Sequence, residues 1–187
     1  MNDFIVIDIE TKNTFFDVGR DNVDALEVSV VCIYSYKHNK YFSFDEHHLK
    51  EAGEMLKGSS VIIGFSINRF DLPVLAKHYD FDLFSIQRID LLEEIEIRMG
   101  RRISLNLLAK TNLGVEKTHN NLEAPVLYKD GKMEELIAYC INDVKIMKDL
   151  YELAKKQGYL LVPNKETKFL DRVDFDPVTL TLSEFAG

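Results

Sequence analysis

The chain has few of the residues that mark secreted or nucleic-acid-coating proteins. Its 187 residues include only two cysteines, Cys32 and Cys140. Both fall in apolar periodic segments, so they read as reduced core thiols of a cytoplasmic protein rather than a disulfide framework or zinc site. Basic residues are in deficit: 23 Lys and Arg against 31 Asp and Glu leave a formal net charge of −8. That argues against a large basic face for coating nucleic acid, while leaving room for local contact with a phosphate backbone. Bound divalent cations would offset part of the negative charge. No stretch approaches the roughly 20 apolar residues of a bilayer span, so no membrane partner is expected. The opening Met-Asn-Asp-Phe-Ile-Val-Ile-Asp places no basic segment before its apolar run, and no signal peptide is expected. Repeats, low-complexity tracts and Pro/Gly/Ser linkers are also missing. The expectation is one domain over residues 1–157, with 158–187 as a C-terminal extension of it. Nothing in the sequence identifies a protein partner.

What is present alternates between buried-strand and helix patterns. Residues 4–9, 27–36 and 41–44 read as three strands, the last two joined by the polar turn 37–40, which lacks a hairpin glycine. A helix is expected over 46–57, a strand over 61–66, a helix from Leu72 to Tyr79 with Pro73 in its first turn, and a strand over 86–91. A short charged helix runs to Gly100, and Ser104 caps another that stops at Gly114. Residues 115–131 read as a long loop. Apolar residues at helical spacing over 133–157 give the strongest helix, ending at Gly158. The tail after Tyr159 reads either as returning strands or as loose chain. An antiparallel meander leading into parallel crossovers predicts an α/β fold with a mixed five-stranded sheet flanked by helices.

Three motifs carry candidate chemistry. Asp8 and Glu10 sit at i and i+2 of the first strand, so both carboxylates leave one face. Paired anions on a buried strand are costly without a cation between them, and Mg²⁺ or Mn²⁺ favours such oxygen donors. The plainer reading is a strand end reaching solvent. Asp71, in Gly-Phe-Ser-Ile-Asn-Arg-Phe-Asp-Leu-Pro, follows the fourth strand, and the plainer reading there is a helix cap. Tyr139 and Asp143 stand at i and i+4 on the long helix, on one stripe. By itself Asp143 reads as a stripe-edge residue paired with Lys145 or Lys148.

Together, Ile7-Asp8-Ile9-Glu10-Thr11, Gly64–Leu75 with Asp71, and Tyr139–Asp143 resemble the DEDD superfamily of 3′→5′ exonucleases, in its tyrosine-bearing branch, within the ribonuclease-H-like fold. The likeness spans about Phe4 to Tyr151, and Asp90 in Ile-Asp-Leu-Leu and Ser104-Leu-Asn-Leu-Leu-Ala also share the family's look. The resemblance implies a metal-dependent 3′→5′ exonuclease that releases nucleoside monophosphates, favouring a single-stranded 3′ end. Asp8, Glu10, Asp71 and Asp143 would hold two divalent cations, Mg²⁺ or Mn²⁺, about 4 Å apart, with Asp8 bridging them. Tyr139, with a reference pKa near 10, would orient the attacking water rather than deprotonate it. Thr11, Ser66 and Phe70 are the expected substrate contacts. Ser66 stands where relatives often carry Asn, and Asn68 is a nearby substitute. His119, Arg101, Arg102 and the run from Lys110 to Lys117 are further candidates for substrate contact, whereas His47 and His48 read as solvated. The competing readings are a catalytically silent domain binding a nucleic-acid end or a partner, and a metal-dependent endonuclease.

Overall fold

The computed structural model describes residues 3–20, 22–115, 123–164, 166–176 and 180. The centre of the fold is a five-stranded sheet in the order β3-β2-β1-β4-β5. These strands are β1 (Asp3–Thr11), β2 (Val28–Ser35), β3 (Lys40–Asp45), β4 (Ser59–Gly64) and β5 (Gln87–Asp90). β1, β2 and β3 are antiparallel neighbours, and β1, β4 and β5 run parallel. The predicted mixed sheet is therefore the one the chain forms. The β2–β3 turn works without glycine because Asn39 takes the left-handed conformation, φ 48°, which Asn tolerates better than most residues.

Side-chain alternation along β1 sorts the core into two layers. Ile5, Ile7 and Ile9 face one layer with Val31 and Ile33 of β2 and Ile62 of β4. Helices α2 (Leu49–Lys57) and α3 (Asp71–Ala76) close that side through Ala52, Leu56, Leu72, Val74 and Leu75. Val6 faces the other layer, with Val30, Cys32, Val61 and Ile63. Helices α4 (Leu91–Met99), α5 (Leu105–Leu113) and α7 (Met133–Gln157) cover it. Asp8 and Glu10 continue the Val6 row, so strand parity alone turns them toward the α7 side.

α7 is 25 residues long and packs against β1 and β2. Its buried stripe includes Leu136, Tyr139, Cys140, Asp143, Val144, Met147 and Leu150, the 3.6-residue period of an amphipathic helix. Gly158 ends it in the left-handed conformation, returning its N–H to Ala154 O at 2.8 Å, as a C-terminal glycine does.

Two features depart from the sequence reading, and in a third the described tail takes the returning-strand alternative. A one-turn helix, α1 (Phe15–Val18), follows β1, stabilised by a capping box in which Thr14 and Asp17 exchange hydrogen bonds. Residues 123–129, expected as loop, form α6 (Glu123–Lys129); Pro125 in its first turn removes no intrahelical hydrogen bond. The tail forms an antiparallel hairpin, β6 (Tyr159–Pro163) with β7 (Leu170–Asp174). Leu160, Val162, Val173, Phe175 and Leu180 join the α7-side core. His119 and Lys117 lie outside the described residues, so the contacts suggested for them do too. No helix among the described residues is long and apolar enough to cross a membrane.

Candidate metal centre

Asp8 and Glu10 arrive from the end of β1 and Asp143 from the middle of α7. Each offers a carboxylate oxygen to a set whose members all lie within 4.8 Å of one another. Asp143 is buried, 3% exposed, rather than at the edge of its stripe, and Lys148 pairs with Asp149 at 3.2 Å. Lys12, two residues beyond Glu10, is likewise drawn aside, pairing with Glu46 and with Glu27. Gathered hard oxygen donors around one point are the ligand set of Mg²⁺ or Mn²⁺. Packing them together, two half-buried and one buried, is unfavourable unless a cation offsets the charge. The residues present therefore fit such an ion.

Tyr139 sits one helical turn before Asp143. Its phenol is pushed above the usual tyrosine range, first by burial and then by Glu10, Asp143 and Asp8. It stays protonated at neutral pH and acts as a neutral hydroxyl beside the acids. Burial, the neighbouring Cys32 and the charges of Asp8 and Glu10 likewise push the Cys140 thiol up.

Asp71 is placed differently from the other three acids. It is not a member of the 4.8 Å set, and its Oδ1 accepts the Ile9 N–H at 3.1 Å. The plainer reading, a helix cap, also fails: Phe70 is the residue at the cap position, and no side chain caps α3 there. The reason Asp71 meets β1 lies in the sheet. Pairing of β1 with β4 ends at Val6–Ile63, and the Ile9 amide beyond it points into the space where β4 turns away. β4 ends at Gly64, where the chain packs too closely for a side chain: a Cβ there would sit 2.3 Å from Ile67 Cγ2 and 3.1 Å from Ile7 O. The Asp71 carboxyl is 3% exposed. Its pKa is raised to about 7, chiefly by burial and further by Asp90, against the lowering effect of its hydrogen bonds.

Asp90 organises the loop that delivers Asp71. Its carboxylate accepts four backbone amides: Ser66 N at 2.7 Å, Asn68 N at 3.1 Å, Leu92 N at 3.1 Å and Glu93 N at 3.2 Å. It caps α4 and ties down residues 66–68 at once. Sequence reasoning noted Asp90 without giving it a role. The signal was Asp ahead of Leu-Leu-Glu-Glu, an N-cap pattern; that it would also reach the preceding loop was invisible.

Each expected substrate contact has a partner within the chain. Ser66 takes φ 68°, a conformation in which Asn is enriched and Ser is not, and its Oγ accepts from Arg102 at 3.3 Å. Asn68 is no stand-in for a side chain at that place: its Nδ2 donates to Glu93 and its Oδ1 accepts from Arg88 at 2.9 Å. The Thr11 hydroxyl donates to Asn13 O at 2.7 Å. Phe70 is half-buried and packs edge-on to Phe15, with ring centroids 6.0 Å apart.

Comparison with known proteins agrees with this architecture. No curated protein matches the chain significantly. A solved structure, the family B DNA polymerase from the hyperthermophilic archaeon Pyrobaculum calidifontis, superposes with a TM-score of 0.64 at 17% identity over 82% of this chain. The match takes in 24% of the polymerase chain, so this protein is similar to about a quarter of it, and at that identity the likeness is one of fold. The sequence model of the RNase_H superfamily matches residues 5–155, a stretch that begins within β1, ends within α7 and contains all four acids. The chain belongs to the RNase_H superfamily.

Proposed function

We propose that the protein is a metal-dependent 3′→5′ exonuclease of the tyrosine-bearing DEDD type, removing nucleoside monophosphates from a nucleic-acid end. The observation that carries the reading is the convergence of Asp8, Glu10 and Asp143 within 4.8 Å of one another. Tyr139 lies one turn from Asp143 on the same buried stripe. Membership of the RNase_H superfamily supports nuclease chemistry at this place in the fold.

On this reading Asp8, Glu10 and Asp143 would hold one cation, and Asp71 would contribute with Asp8 to holding a second. Such ions supply Lewis acidity and offset the charge that builds on a phosphoryl group under attack. The chain's own part is orientation. The neutral Tyr139 hydroxyl aligns the attacking water by hydrogen bonding and does not remove its proton. Asp90 holds Ser66 and Asn68 by their backbone amides, fixing the loop that carries Asp71. Thr11, Ser66 and Phe70 are assigned to the substrate, with Phe70 offering a ring face to a terminal base. A single-stranded end is favoured because the terminal phosphodiester must be splayed into a cleft between a strand and a helix. The described residues after 157 are assigned to the same domain, since Leu160, Val162 and Val173 share its core. Two buried free thiols support a reducing, cytoplasmic setting.

The test is digestion of 5′-labelled DNA and RNA oligonucleotides with Mg²⁺ or Mn²⁺, alongside Asp143→Asn. A ladder shortening one nucleotide at a time, absent in the variant, is the expected result. Discrete internal fragments would indicate an endonuclease. No cleavage under any metal would leave a binding domain.

A further inference from the structure

Cys140 reads in the sequence as an ordinary core residue, and its complete burial fits that. Its sulfur position does not. Sγ lies 3.5 Å from Asp8 Oδ2 and 3.4 Å from Asp8 O, so the thiol of α7 faces one of the metal-site acids across 132 residues of chain. Alanine or valine would fill this part of an apolar stripe without setting a donor against a carboxylate. The surroundings reinforce the orientation. Cys32 stands directly opposite Asp8 in the β1–β2 register, and its own Sγ approaches Ile137 O at 3.9 Å. The Asp8 side chain thus emerges between a cross-strand thiol and a helix thiol, and contact is made by the helix one. Cys140 is not a member of the 4.8 Å set formed by Asp8, Glu10 and Asp143.

We propose that Cys140 is a positioning residue: its S–H, shared between the Asp8 carbonyl and carboxylate oxygens, ties that side chain to its own backbone in the orientation that would bind a divalent cation, without itself ligating the ion. An S–H is a weak donor, but partners that orient metal-ligating carboxylates commonly matter by 10- to 100-fold in affinity. The low end of that range is expected here. The inference rests on the cation site proposed above.

Mn²⁺ binding to the full chain, read by the loss of the free-ion electron paramagnetic resonance signal, tests it without relying on nuclease activity. Wild type, Asp143→Asn, Cys140→Ser and Cys140→Ala are compared. Cys140→Val, which keeps volume without a donor, replaces alanine if alanine proves unstable. The expected pattern is a dissociation constant about tenfold weaker for the donor-free variant and within about twofold of wild type for serine. Melting temperatures in chelator should be similar for the serine and donor-free variants. Unchanged affinity in Cys140→Ala, or equal losses in serine and alanine, overturns the inference while leaving the cation site standing. A wild type that binds no Mn²⁺, or binds it as well as Asp143→Asn does, overturns the site itself. A thiolate-to-cobalt absorption band in the Co²⁺-loaded protein, lost in Cys140→Ala, would make Cys140 a ligand and also overturn the positioning role.

Discussion

The Asp71 carboxylate accepts the backbone N–H of Ile9 at 3.1 Å, joining the start of α3 to the strand between Asp8 and Glu10. One hydrogen bond thus fixes the second acidic motif against the first, 62 residues apart in sequence. It does so where β4 has left the edge of β1, so the carboxylate also satisfies an amide that has lost its strand partner.

That placement sets a pH dependence for the chelated protein. Burial raises Asp71 from the usual 3.8 to about 7, so the folded state holds this proton more tightly than the unfolded chain. Between these values the unfolded state binds fewer protons, and the group's contribution to stability falls as pH rises, by up to about 4 kcal/mol. Asp71→Asn keeps an oxygen for Ile9 and carries no charge. In EDTA it should melt near wild type at pH 4 and above it at pH 8. A difference that does not change with pH between these limits sinks the argument.

Divalent cations should act in the opposite direction. At 100 times the dissociation constant, a ligand specific for the folded state adds about 2.7 kcal/mol. For a chain of this size that is a rise in melting temperature of roughly 5–10 °C. Thermal scans with Mn²⁺ or Mg²⁺ should show it in wild type and lose it in Asp8→Ala and Asp143→Asn. Retention of the full shift in Asp143→Asn would mean the ion binds elsewhere.

Tyr139→Phe removes one oxygen from the site and leaves the three clustered carboxylates in place. Turnover should fall by up to about 100-fold, the scale of a misoriented reactant. The cation-induced rise in melting temperature should persist. A parallel loss of both would assign Tyr139 to holding the acids rather than to orienting water.

Asp90→Ala strands four amides at once. Each unsatisfied buried group costs on the order of 1–3 kcal/mol, lessened where water enters, so a total of about 2–4 kcal/mol is expected from chemical denaturation. Activity at a temperature where the variant remains folded should fall as well, because the 66–71 loop loses its anchor. Full activity there would confine Asp90 to a capping role.

Much of the site could be read in one dimension. Period-two alternation assigned Asp8 and Glu10 to one face, and helical spacing stacked Tyr139 over Asp143. Both follow from local backbone geometry, which any isolated strand or helix would share. The residues around them were harder. Asp71 looked like a cap because Asp before Leu-Pro usually is one, whereas its carboxylate spans to another element. Asn68 looked available, and Arg88 with Glu93 engages it. α6 escaped notice because seven residues make only two turns and carry little periodicity, and it packs on α7 and β1.

The sequence by itself determined the elements, the parity of the first strand and the stripe of the last helix, because these depend on neighbours within a few residues. It also contained the order of acids that points to a nuclease. Only the tertiary structure decided which acids share a space, that Asp71 serves the Ile9 amide, and that the Cys140 sulfur faces Asp8. Those outcomes depend on where β1 and β4 part and on how α7 crosses the sheet. Both are set by the packing of whole layers rather than by any local run of residues.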